Sequence, residues 1–213
     1  MEIDALALVR LLQLADSALP VGAAAHSFGL ESMVEEGLLN VSALETFLRD
    51  YLEEQGALDV HFCRAAYRVA PEAGDQWRRL NRELSARRLP RESRTASLAL
   101  GRRLLHLAAE LLPDQPIPME IEAHHVTAFG FVAGMAGIDE SSAALAWLNQ
   151  SMAALVSAMQ RLAPVGQTRA AEILWKLKPV MARVSHSSAD CFMPVLEIAS
   201  MRHVRLSTRL FIS

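Results

Sequence analysis

Asp16, Ser17 and His26 lie close together in the chain and carry the groups that a hydrolase uses as orienter, nucleophile and base. Three nearby positions in a loop do not establish a triad, and the sequence has no Gly-x-Ser-x-Gly elbow. The alternative reading has Asp16 and Ser17 capping chain ends and His26 held by hydrogen bonds. Seven histidines and two cysteines also raise metal binding. His124 and His125 are adjacent, so on a helix they point about 100° apart and cannot chelate one ion. His61 and Cys63 share that problem; His186, Asp190 and Cys191 come nearer to usable spacing, without forming a compact zinc pattern. A phosphate loop needs a glycine-framed lysine, and Lys176 and Lys178, the only lysines, sit among Trp, Leu and Pro. The chain is therefore not a P-loop NTPase.

Charge is segregated although the net value is only −3. Residues 1–60 hold eleven acids and two bases, 77–103 hold nine arginines and two acids, and 161–213 hold eight bases and three acids. The arginines from Arg78 to Arg103 suit either a solvated face or an acidic protein patch. Trp77 is the one aromatic among them, so nucleic acid is not an expected partner. Two cysteines, Cys63 and Cys191, without a CxxC pair fit a reducing cytoplasm. The acidic, amphipathic start is unlike a signal peptide, and the chain is expected to be mature as written. The uncharged stretch Ala123 to Ile138 is short of the roughly 20 apolar residues that a membrane span needs.

The elements that must position these groups read as helices almost throughout. At 213 residues and 52% hydrophobic content, one all-α domain over 1–213 is expected, a globular bundle of about eight to ten helices with an extended C-terminal tail from about residue 200. Leu6, Val9, Leu12 and Leu14 begin a first helix ending near Asp16, and Ser27 can cap a short one with Glu31 in its first turn. Ser42-x-x-Glu45 reads as a capping box before the stripe Leu44, Phe47, Leu48, Tyr51 and Leu52, a helix closed by Pro71 at the latest. A charged helix follows from about Trp77 to Arg88, and Pro90 and Pro113 bound the next. Glu120 and Glu122 favour a helix start ahead of a run, Val126 to Ala136, that has no charge on any face and belongs at the centre. In it Gly130 and Gly134 admit a close neighbour. Asp139 caps a helix whose stripe, Leu148, Met152, Leu155, Val156, Met159 and Leu162, runs to Pro164 and Gly166, and a further helix carries Ile173 to Leu177. Only Val204, Leu206, Thr208, Leu210 and Ile212 alternate, as a strand or an extended tail does. Such a tail either packs on the helices or becomes ordered on a partner.

Several motifs together resemble the urease accessory protein UreF family. They are Asp16-Ser17-Ala18-Leu19-Pro20-Val21-Gly22 with His26-Ser27-Phe28-Gly29-Leu30-Glu31, then Ser93-Arg94 with Gly101-Arg102, then His124-His125 with Ala128 and Gly130. Pro164-Val165-Gly166-Gln167 and Ile198-Ala199-Ser200-Met201-Arg202-His203 with Arg209-Leu210-Phe211 complete the likeness, which spans residue 11 to the C-terminus. The first and last motifs in combination are the specific part.

The resemblance implies an all-helical, homodimeric, cytoplasmic chaperone with no enzymatic activity and no cofactor of its own. It would bridge the UreD (or UreH) scaffold and the GTPase UreG on apo-urease, helping nickel into the active site. The expected UreD contact is Met201, Arg202, His203, Arg205, Arg209, Leu210 and Phe211, and the expected UreG contact is Asp16, Pro20, Gly22, His26 and Glu31. Three departures bear on that fit: Ala23-Ala24-Ala25 replace a glycine and an aromatic, and Glu197 and Val204 flank the last motif in place of Asp and Glu. The rival readings are a general helical binding module unrelated to urease and a metal-dependent hydrolase.

Overall fold

A computed structural model describes residues 4–69, 74–118, 122–187 and 191–212. Their order is α1 (Ala5–Leu14), α2 (Leu30–Glu35), α3 (Leu44–Tyr51), α4 (Ala57–Val69), α5 (Asp75–Arg87), α6 (Arg91–Leu111), α7 (His125–Met135), α8 (Glu140–Leu162), α9 (Gln167–Lys176), α10 (Lys178–Val184) and α11 (Pro194–Arg202). Leu52–Gly56 is a π-helical turn that joins α3 and α4 into one rod. The fold is all-α, with no strand among the described residues. No helix there is long and apolar enough to cross a membrane.

The uncharged run lies at the centre, as its composition demands. Every residue from Val126 to Ala133 is buried, and α7 packs against α4, α6 and α8. The approach to α4 is set by bare backbone: a Cβ on Gly130 would stand 2.1 Å from the Cys63 carbonyl oxygen. Gly101 of α6 likewise admits the Ala123 carbonyl, which a Cβ would meet at 2.0 Å. Glu120 lies outside the described residues, and Glu122 is exposed ahead of the first turn. The start of α7 is organised instead by a buried polar cluster, in which Asn81 Oδ1 accepts from the His124 amide (2.9 Å) and from Thr127 Oγ1 (2.6 Å). The His124 ring lies between Ser97 Oγ (3.1 Å) and Ser85 Oγ (2.8 Å).

Asp139 caps α8 through the Ser142 amide (2.8 Å), and the stripe from Leu148 to Met159 is buried. Elsewhere local rules are overridden. Ser42 and Glu45 form no capping box, because Asn40 Oδ1 accepts from both Ser42 Oγ (2.7 Å) and the Ala43 amide (3.1 Å). Glu45 is drawn away by Arg169 (3.0 Å) and Lys176 (3.4 Å). Pro71 lies outside the described residues, and α4 reaches Val69. On α1 the stripe faces outward: Leu6, Val9 and Leu12 are exposed, and Leu14 is the residue of that set that reaches the core.

The alternating C-terminal residues form no strand. His203–Arg205 is a 3-10 turn, and 206–212 run over the helices without regular structure. Phe211 is buried, and the Ile212 amide donates to the Ala25 carbonyl (2.8 Å).

Substituting Gly130 by Ala should cost about 3 kcal/mol in urea unfolding, since the Cys63 backbone must move. Gly166, whose Cβ would meet nothing within 4 Å, is the control, and equal losses at the two positions would refute the close approach. Burial, followed by Arg88 and Arg94, pushes the His124 pKa down to about 3. Burial, Arg88 and His26 push His125 to about 4. Between roughly pH 6.5 and 4 the unfolded chain therefore binds more protons than the folded one. Stability should fall with pH across that window, by up to about 1.4 kcal/mol per pH unit for each histidine. A flatter slope in His124→Gln checks the assignment, and an unchanged slope contradicts it.

Candidate functional site

The two terminal motifs meet. After α1 the chain turns through Asp16, whose Oδ1 accepts the Ala18 amide (2.8 Å), and then through Gly22 at φ 82°. Arg103 donates to the Val21 carbonyl (3.2 Å), and its guanidinium occupies the space a Gly22 side chain would need. Phe28 (φ 51°) and Gly29 (φ 94°) both adopt left-handed backbone, which turns Leu30 and Glu31 into the protein. A Cβ on Gly29 would press on Leu196 and Ser200 of α11 at 3.1–3.2 Å. Glycine is required where α2 and α11 touch.

Glu31, 6% exposed, is the hub of the contact. Its Oε1 accepts the Leu210 amide (2.6 Å), and its Oε2 accepts the Phe211 amide (3.3 Å) and lies 2.8 Å from His203 Nε2. On the other side of the ring, His203 Nδ1 is 3.0 Å from Glu92 Oε2. Ser93 and Ser200 pair alongside at 2.6 Å. Arg161 closes the junction, donating to the Ala24 carbonyl (2.7 Å) with its guanidinium 4.1 Å from the centroid of the Phe211 ring.

The candidate residues thus divide by direction. Glu31, His203, Phe211 and His26 are buried, and burial, with the Arg103 charge, lowers the His26 pKa. Asp16, Pro20, Gly22, Met201, Arg202, Arg205, Arg209 and Leu210 are exposed. Arg202 pairs with Glu36 at 3.0 Å. Between α6 and the tail runs a groove of about 600 Å³, lined by Arg91, Thr95, Ala99, Arg103, Met201, Val204 and Ile212 among others. The sequence offers Arg103 only as one of an arginine-rich run and gives no sign of Glu92 or Arg161, which nothing local marks as part of the junction.

Asp16 Oδ1 accepts the Ala18 amide, as a residue that caps a chain end does. Among the described residues no group of three His, Cys, Asp or Glu could hold a metal ion, and Asp190 lies outside them. Glu31 and Glu92 meet opposite nitrogens of His203, so the three do not converge on one ion.

The fold and the junction define an all-helical protein in which segments distant in sequence are locked together. Residues 38–178 match the family model described as UreF. The chain is 33% identical to a urease accessory protein UreF of Paenarthrobacter aurescens, with 95% of this chain and 96% of the relative covered. It is 33% identical to one of Nostoc sp. (95% and 94% covered) and 34% identical to one of Microcystis aeruginosa (98% and 99% covered). The chain belongs to the UreF family of urease accessory proteins, a chaperone-type family and not one of enzymes.

Replacing Glu31 by Ala leaves two amides and the His203 ring without their acceptor. The expected cost is about 2–4 kcal/mol, with amide exchange at Leu210 and Phe211 at least ten-fold faster. Unchanged exchange at both amides would show that the tail is held by other contacts.

Proposed function

We propose that this protein is an adaptor in nickel-urease maturation, acting in the cytoplasm as a homodimer. It joins the UreD (UreH) scaffold and the GTPase UreG to apo-urease and modulates GTP-dependent delivery of nickel, which is cargo. The observation that carries this reading is the junction: in a chain of the UreF family, the loop after α1 and the C-terminal segment are held together by Glu31 as one surface. Exposed Met201 (47%), Leu210 (62%) and Ile212 (67%) share the segment with exposed Arg205 and Arg209, and Met and Arg are residue types enriched at protein interfaces. The sequence has no phosphate loop, so in this reading GTP chemistry belongs to the partner.

Roles within each predicted contact follow from exposure. Met201, Arg202, Arg205, Arg209 and Leu210 face UreD, while His203 and Phe211 hold them in place. Asp16, Pro20 and Gly22 face UreG, while His26 and Glu31 support the loop. A triple variant, Met201→Asp, Arg205→Glu and Arg209→Glu, changes only exposed side chains and should lower co-purification with UreD at least ten-fold at unchanged circular dichroism. Asp16→Lys should weaken UreG recruitment alone. Wild-type recovery of UreD with the triple variant would remove the first assignment, and wild-type recovery of UreG with Asp16→Lys the second.

A further inference from the structure

The groove of about 600 Å³ between α6 and the C-terminal segment has Thr95, Ala96 and Ala99 on its helical side and Met201, Val204 and Ile212 on the other. The last three are all exposed, so apolar surface faces water there. Arg91 and Arg103 stand on the same groove, twelve positions apart on α6 and so about 18 Å apart along its axis. Arg91 is exposed and has no carboxylate partner among the described residues. It also sits in the first turn of α6, where the helix dipole disfavours a cation, so its charge does not serve the fold. Arg103 donates one N–H to the Val21 carbonyl (3.2 Å) and keeps other donors of its guanidinium for a ligand. Glu92, the one acid that lines the groove among the described residues, is turned to His203 Nδ1 at 3.0 Å. His26 adds no charge at neutral pH, because burial and the Arg103 charge lower its pKa.

We propose that this groove binds a short extended segment of a partner protein that carries a carboxylate at each end and apolar side chains between. The carboxylates meet Arg91 and Arg103, and the apolar side chains pack on Met201, Val204 and Ile212. An extended chain rises about 3.3 Å per residue, so acids five positions apart span about the distance between the two arginines. Nucleic acid is the poorer match: no Phe, Tyr or Trp lines the groove among the described residues, so bases find no such ring to stack on. The proposal rests on the reading above in one respect, that Met201 belongs to a partner-facing segment; it adds the groove beside that residue and the chemistry of what enters it.

Fluorescence anisotropy with the full-length protein and the labelled hexapeptide Asp-Ser-Leu-Leu-Ser-Asp tests the assignment. Two control peptides carry Asn for both Asp or Ser for both Leu. The parent peptide is expected to bind about ten-fold more tightly than either control. Arg91→Glu should weaken parent binding about ten-fold while thermal stability is unchanged or raised, because a carboxylate suits the first turn of α6. Ala99→Trp, which fills the groove from α6, should abolish binding at unchanged circular dichroism; if that variant does not fold, Arg91→Glu decides alone. Equal binding of the Asn peptide would mean a merely apolar groove, and equal binding of the Ser peptide, or tighter binding of hexathymidylate, would mean a general anion surface. A lower oligomeric state of Arg91→Glu in sedimentation would mean that a second copy covers the groove, and no binding of the parent peptide up to about 1 mM would mean that the groove takes no such segment. Each of these overturns the proposal. The assay contains no UreD, so parent binding alongside wild-type recovery of UreD by the triple variant would remove the earlier assignment and leave the groove standing.

Discussion

One buried carboxylate holds the loop after α1 and the C-terminal segment together. Removing Glu31 from water carries a penalty of several kcal/mol unless its lone pairs are filled. Here the Leu210 and Phe211 amides and the His203 ring fill them, and each of these partners comes from the C-terminal segment. Glu31 and the tail are therefore mutually dependent: the carboxylate needs the tail to be tolerated, and the tail, lacking a sheet or helix, needs the carboxylate for its amides. The constraint extends outward from that pair. Gly29 must be bare so that α2 can reach α11, and Phe28 must take a left-handed turn so that Glu31 points inward. Contacts across some 180 residues are made at a high loop-closure entropy, so the ends meet only because the intervening helices are already packed.

That packing rests on the absence of side chains. At Gly130 and Gly101 the backbone of one element fills the space of another element's missing Cβ. The uncharged composition of α7 made its central place legible in the sequence, and the spacing of Gly130 and Gly134 indicated a close neighbour. Asp139 and the proline boundaries were legible for the same reason: each acts through its own immediate backbone. Signals that depend on a distant side chain were not. Ser42 and Glu45 have the spacing of a capping box, but Arg169 and Lys176 arrive from α9 to compete for Glu45, and Asn40 offers the better cap. Periodicity identified the apolar stripe of α1 without saying which way it faces; Leu6, Val9 and Leu12 point to solvent.

The same distinction governs the candidate site. Motif likeness picked out both segments, and their residues do meet, yet residue type says nothing of direction. Glu31 and His203 are polar groups of the kind that suggests a contact with another protein, but they are consumed within the fold. The arginine-rich run divides in the same manner. Arg88 neutralises Asp59 inside the protein, Arg94 donates to the Arg88 carbonyl and Arg103 to that of Val21. Arg79, Arg82, Arg91 and Arg102 remain exposed. A positive stretch of sequence is thus partly scaffold, because guanidinium groups satisfy backbone carbonyls as readily as they meet a partner's acids.

Arg161 shows how closely the loop, the tail and the interior are connected. It donates to Ala24 in the loop, covers Phe211 in the tail and lines a cavity of about 220 Å³ beneath the loop. Its stem rises from α8, the helix that supplies Trp147, Leu155 and Ala158 to the apolar side of that cavity. A change in the position of the loop therefore alters the cavity mouth. Such a connection becomes regulation only where two arrangements of the loop differ in affinity for what lies beneath. The loop is held to the body through carbonyl contacts from Arg103, Arg161 and the Ile212 amide, whereas α4, α6 and α7 are locked by backbone-to-backbone packing at Gly130 and Gly101.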